Sequence, residues 1–233
     1  MGAALGWGAL AASSLIIGAL LGLARPRPHR IVGLVLAFGA GALISAVSFD
    51  LAEEGAQVGS PVALGIGLGV GAITYYVLDR IVERRAAARS DAGMALALGA
   101  FLDGIPEQAV LGIGLAGGEG VSVGLLAAIF VSNLPEAIGS ATDMRAARRS
   151  GRQIIRLWIA VAIICTLATA AGYAIADGVS GDLEAAIDGF AAGALLVMLV
   201  DSMIPEAVAK AGRLAGLATV LGFAVAAGLS AVS

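Results

Sequence analysis

Two long apolar stretches carry the same interruption, Phe101-Leu102-Asp103-Gly104-Ile105-Pro106-Glu107 and Phe130-Val131-Ser132-Asn133-Leu134-Pro135-Glu136. Each places a Pro-Glu dipeptide near the middle of a helix long enough to lie in lipid. An acid at that depth costs about 2.5–3.5 kcal/mol on insertion scales, so it belongs against a cavity or a partner. Proline has no amide hydrogen to donate, so Pro106 and Pro135 free the carbonyls of Leu102 and Val131 one turn earlier. Asp103 and Glu107 are four residues apart and share a helical face; Ser132 and Glu136 repeat the spacing. Asn133 adds an amide oxygen where the first motif has Gly104. Carboxylates, side-chain oxygens and freed carbonyls together form the ligand set of a hard cation. The pair of motifs points to an ion pathway.

Further acids fall in two other apolar stretches. Asp201 and Glu206 flank Pro205, and Asp50, Glu53 and Glu54 lie together near residue 50. Asp50, Asp201 and Glu206 are candidate ion ligands beside Asp103, Glu107, Ser132, Asn133 and Glu136. Glu53, Glu54 and Asp188 read equally well as interfacial residues.

The chain that carries these groups is 233 residues long, 59% hydrophobic and 13% charged. Its mean hydropathy of +0.97 lies far outside the range of soluble domains. Apolar runs of about 20 residues, enough to cross a bilayer, fall near 3–24, 31–55, 61–82, 92–116, 121–143, 155–177, 184–208 and 212–232. The expectation is an all-α membrane protein: one transporter domain over 1–233 with eight transmembrane helices. Arg25, Arg27, His29 and Arg30 follow the first run and no basic residue precedes it, the pattern of a spanning helix and not of a cleavable signal.

All 14 lysines and arginines follow odd-numbered runs. Alternate loops carry only acids, including Glu119, Asp177, Asp182 and Glu184. By the positive-inside rule both termini face outward and the basic loops face the cytoplasm. The arginine clusters are thereby explained by orientation, and no nucleic-acid partner is expected. Cys165 is the single cysteine and lies in an apolar run, so there is no disulfide framework.

Residues 38–55 (FGAGALISAVSFDLAEEG) align without gaps to 190–207 (FAAGALLVMLVDSMIPEA), pairing Phe38 with Phe190, Gly41 with Gly193 and Glu54 with Glu206. These are the second and seventh runs, which cross in opposite directions. With the antiparallel fourth and fifth runs, the arrangement reads as a 3+2+3 inverted repeat around a central hairpin, a design that places ion sites near the midplane.

On these residues the chain resembles the ZIP family of divalent-metal transporters, whose helices 4 and 5 carry paired His-Asn-x-Pro-Glu and His/Gln-(Asp/Asn/Glu)-x-Pro-Glu motifs. The segments GAGALISAVSFDLAEEG and MIPEA are similar to its bacterial branch. The resemblance implies eight helices with outward termini and a metal site in which Glu107 and Glu136 bridge. Asp103 then stands at the family's first histidine, Gly104 at the following asparagine, and Ser132 at the helix-5 His/Gln. The sixth run has no carboxylate between Ile155 and Ala176, which with Gly104 argues for one metal site. The only histidine is His29 in a basic loop, so the central donors are nearly all oxygen. Oxygen suits Mg²⁺, Mn²⁺ or Ca²⁺, and imidazole and thiolate favour Zn²⁺ and its neighbours; zinc also accepts carboxylates. The ion therefore stays open among Zn, Mn, Fe, Mg and Ca.

The function expected is a permease moving a divalent cation towards the cytoplasm, in a multi-pass protein of a bacterial inner membrane. It needs no prosthetic group; its partners are the cation, the lipid bilayer and, as one assembly, a second copy in a homodimer. The alternative on the same scaffold is a proton- or sodium-coupled carrier of another small solute, with Asp103, Glu107 and Glu136 as a proton relay. An intramembrane enzyme using two acids fits worse, because the best-matched pair is Glu/Glu and no Ser/His dyad exists.

Overall fold

The computed structural model describes the chain except residues 26–27, 88–91, 118–121 and 231–233, and without the side chains of 83, 85–87 and 92–100. Arg27, Arg89 and Glu119 of the charge pattern therefore lie outside the described residues, as does the Arg85 side chain. Among the described residues the chain forms eight helices and no strand. They are α1 (Gly2–Ala24), α2 (His29–Val58), α3 (Pro61–Ala87), α4 (Ala92–Ala116), α5 (Val123–Ala146), α6 (Gly151–Ala176), α7 (Asp182–Ala211) and α8 (Leu214–Ser230). Among the described residues six of them, α1, α2, α3, α5, α6 and α7, are long and apolar enough to cross a membrane. This is an integral multi-pass membrane protein. Its outward faces suit lipid: on α3, Val62 is 70% exposed and Ile73 66%. A soluble protein would bury such residues; in a bilayer they meet hydrocarbon.

Caps and glycines define the helix ends and contacts. Ser150 opens α6 with a capping box, its hydroxyl accepting from the Gln153 amide while the Gln153 side chain accepts from the Ser150 N–H. Asp182, at the start of α7, accepts a 2.7 Å hydrogen bond from the Ser60 amide just before α3. Gly212 separates α7 from α8 with φ +62°, a conformation that side chains rarely adopt.

The helices pair in a repeating scheme. α3 packs along α7 and α8 along α2; α1 packs on α5 and α6, and α4 on α6. The first two pairs are the closest. A Cβ added to Gly41 would sit 1.8 Å from the Thr219 carbonyl oxygen, and one on Gly222 would sit 1.9 Å from that of Phe38. On the other pair, Gly193 would meet the Leu68 oxygen at 2.1 Å and Gly71 that of Phe190 at 1.9 Å. Small residues thus let backbones touch where apolar side chains gain nothing by leaving lipid.

Helices α2 and α7 share another irregularity. Each is interrupted by π-helical turns, Val47–Glu53 in α2 and Leu199–Met203 in α7. Val47 and Leu199 are aligned partners in the pairing of 38–55 with 190–207, so both interruptions begin at the same point of the sequence match. Pro106 and Pro135, by contrast, lie inside helices assigned as continuous.

Two apolar clusters flank the centre. One joins α1, α5 and α6 around Trp158, Leu15 and Met144. The larger joins α2, α7 and α8 to parts of α4 and α5, with Leu36, Leu43, Leu195 and Met198 fully buried. The polar residues of α4 and α5 lie where these clusters meet.

Candidate metal centre

Asp103, Glu107, Ser132 and Asn133 are all buried, with Ser132 and Asn133 at 0% exposure. The Ser132 hydroxyl lies 3.0 Å from both Glu107 oxygens, binding α5 to α4. Asp103 holds two other helices. Its Oδ1 accepts from the Tyr75 hydroxyl of α3, and its Oδ2 accepts at 2.9 Å from the Ser202 hydroxyl of α7. Next to Glu107, Gln108 accepts at 2.6 Å from Thr169 of α6. Helix α4 is thus tied to four neighbours through polar side chains.

Helix α5 differs. Both amide atoms of Asn133 and Oε2 of Glu136 are buried without a hydrogen-bond partner among the described residues. Leaving a buried polar group unpaired costs about 1–3 kcal/mol, and more for a charged one. Glu136 also lies in the field of Asp103, Glu107, Glu206 and Lys210. An acidic group facing three others and one ammonium is an arrangement that a cation relieves.

The remaining sequence candidates are dispersed. Glu206 pairs with Lys210 one turn later on α7. Asp201 is exposed, while its neighbour Ser202 turns inward to Asp103. Asp50 lies apart, accepting from Ser122 at 3.0 Å and lining a separate cavity. Among the described residues no three His, Cys, Asp or Glu side chains converge closely enough to hold a metal. A cation bound here would use Asn133, Ser132, backbone carbonyls or water beside the carboxylates.

Sequence reasoning passed over three participants. Tyr75 is 3% exposed, and a buried phenol needs an acceptor; that signal was available. Ser202 lies four residues before Glu206, which is also visible in the sequence. Cys165 was read as an isolated apolar thiol. It is fully buried on α6, and a Cβ on Gly104 would sit 2.9 Å from its sulfur. Gly104 therefore keeps α4 against α6, and a larger residue there needs Cys165 to move.

An all-helical bundle with Asp103 and Glu107 of α4 buried beside Ser132 and Asn133 of α5 defines a polytopic membrane protein with a polar centre. No sequence-family profile matches the chain. It is similar to an Arabidopsis thaliana protein named "Putative zinc transporter At3g08650", at 30% identity over 201 residues. The match covers 81% of this chain and 32% of that protein, so the chain spans about a third of its relative's length.

Proposed function

We propose that the chain is a ZIP-like permease that moves a divalent metal cation towards the cytoplasm through a carboxylate site on α4 and α5. The observation that carries this reading is that three of the five buried atoms with no partner among the described residues, Asn133 Oδ1 and Nδ2 and Glu136 Oε2, lie together on α5, one helix away from Glu107. Native proteins pair buried polar atoms almost without exception, and an unpaired group calls for a functional explanation. Glu107 and Glu136 supply two negative charges, which balance one M²⁺ in a low-dielectric site. The similarity to a protein named as a zinc transporter supports the metal cargo and a transport role over an enzymatic one.

The inverted 3+2+3 arrangement is part of the proposal. The aligned π-helical interruptions support it, as do the matching glycine contacts of α2 with α8 and of α7 with α3. Outward termini rest on the lysine and arginine pattern. Cysteines placed at Gln57 and Ala147, both exposed, in a Cys165→Ala background report the two sides. An impermeant thiol reagent should reach position 57 in intact cells and position 147 only after lysis; the reverse pattern inverts the orientation.

The decisive experiment is Zn²⁺ and Mn²⁺ uptake into proteoliposomes by Glu107→Gln and Glu136→Gln. Glutamine keeps the size and one acceptor while removing the charge, so each variant should lose uptake and show a smaller metal-induced rise in Tm than wild type while remaining folded. Normal uptake and a normal Tm shift in both would make the Pro-Glu pair structural and end the permease reading.

A further inference from the structure

A second polar cavity, of about 230 Å³, lies between α2, α4, α6 and α7. Four carboxylates line it, Asp50 and Glu54 from α2 with Glu184 and Asp188 from α7, and no basic side chain is among its described lining residues. Asp188 sets it apart from a solvated acidic surface. That residue is only 6% exposed, yet it has no hydrogen-bond or cationic partner among the described residues. The side chain lies close against α2: a Cβ on Gly55 would lie 3.1 Å from Asp188 Cβ and 3.4 Å from Oδ2. The charges that act on it are those of Glu54 and Glu184, which repel. A buried carboxylate with only like-charged neighbours needs a counter-ion or a proton, and a cavity lined by four acids offers room for the former.

We infer that this cavity is a capture site for a hydrated divalent cation, with Asp188 as its principal anion. The volume fits. At about 30 Å³ per water it holds roughly seven waters, enough for an ion that keeps its inner hydration shell. No three of these acids converge to strip that shell, so the cation is held through its waters. Ile113 and Gly114 of α4 form one wall, six and seven residues beyond Glu107, so the cavity lies about 9–10 Å along that helix from the central pair. Its acids lie in the parts of α2 and α7 that lead into loops without lysine or arginine. A cation held here is concentrated before it loses water at the centre, where the tighter oxygen ligands are.

The proposed role in uptake rests on the permease reading, but binding does not, and the test separates them. Protein carrying Glu107→Gln and Glu136→Gln, reconstituted in lipid nanodiscs, is titrated with Mn²⁺ while the EPR signal of free hydrated Mn²⁺ is followed. About one equivalent should still bind. Adding Asp188→Asn should weaken it at least tenfold, and Asp188→Glu should restore it. Glu184→Gln, at a half-exposed position that leaves the fold intact, should weaken it several-fold. Absence of bound Mn²⁺ in the Glu107→Gln, Glu136→Gln protein overturns the site, as does binding indifferent to both Asp188→Asn and Glu184→Gln. In transport, Asp188→Asn alone should raise the KM for Mn²⁺ about tenfold and leave the maximal rate within twofold. A loss of maximal rate with unchanged KM would overturn the capture role. If wild type transports no cation, the permease reading fails while the binding titration still decides the site.

Discussion

Helices α4 and α5 carry the same Pro-Glu motif but satisfy it differently. On α4, Asp103 is held by Tyr75 and Ser202, and Glu107 by Ser132. On α5, Ser132 is spent on Glu107, while Asn133 and one oxygen of Glu136 have no partner among the described residues. One motif is fastened to its neighbours and the other is poised for something the chain does not supply. Repetition in sequence therefore does not mean repetition of role: α4 positions the pair, and α5 offers the open donors.

Substitutions can break or sharpen that contrast. Asp103→Leu should have the largest effect, because it strands the buried Tyr75 hydroxyl and the half-buried Ser202 hydroxyl. A stability loss of about 2–4 kcal/mol is expected in chemical unfolding from micelles. Asn133→Leu should do the opposite: removing an unpartnered amide should leave Tm unchanged or raised, while metal uptake falls about a hundredfold, or about 2.7 kcal/mol. If Asn133→Leu unfolds the protein and Asp103→Leu does not, the contrast between the helices is wrong.

Smaller effects refine it. Tyr75→Phe and Ser202→Ala should each cost about 1–2 kcal/mol, the upper range for interhelical hydrogen bonds in lipid. A double variant whose loss is less than the sum of the two would show that both act through Asp103. Asp103→His with Ser132→His should shift competition towards Zn²⁺ over Mn²⁺ about tenfold, since imidazole binds later divalent ions more tightly. An unchanged ratio in a folded protein would remove both positions from the ion's reach.

Much of this was legible in sequence because it depends on local spacing. Asp103 and Glu107, or Ser132 and Glu136, share a face on any α-helix, and their motifs do pair across α4 and α5. The segments 38–55 and 190–207 align in sequence, and a π-helical stretch begins at the same aligned point in each, which the sequence alone did not show. Those stretches also explain a miss. With Asp201 in a π-helical turn and its side chain exposed, Ser202 is the residue that meets Asp103. Asp50 was named as a candidate ligand with the acids of the other apolar runs, yet its oxygen faces Ser122 at the far end of α5.

The sequence by itself determined the helical, membrane-spanning class, because a chain so apolar must satisfy its backbone internally. It also determined that two acids per motif share a face and that each proline withholds a donor. Tertiary structure alone decided which of those acids are partnered. Tyr75 and Ser202 reach Asp103 from 28 and 99 residues away, and Cys165 meets Gly104 only because α6 packs on α4. The same packing turned Asp188 from one interfacial acid among several into a buried carboxylate with like charges around it. Partnership is a property of neighbours, and neighbours on different helices are set by how backbones fit, through glycines such as Gly41, Gly71, Gly193 and Gly222, and not by spacing along the chain.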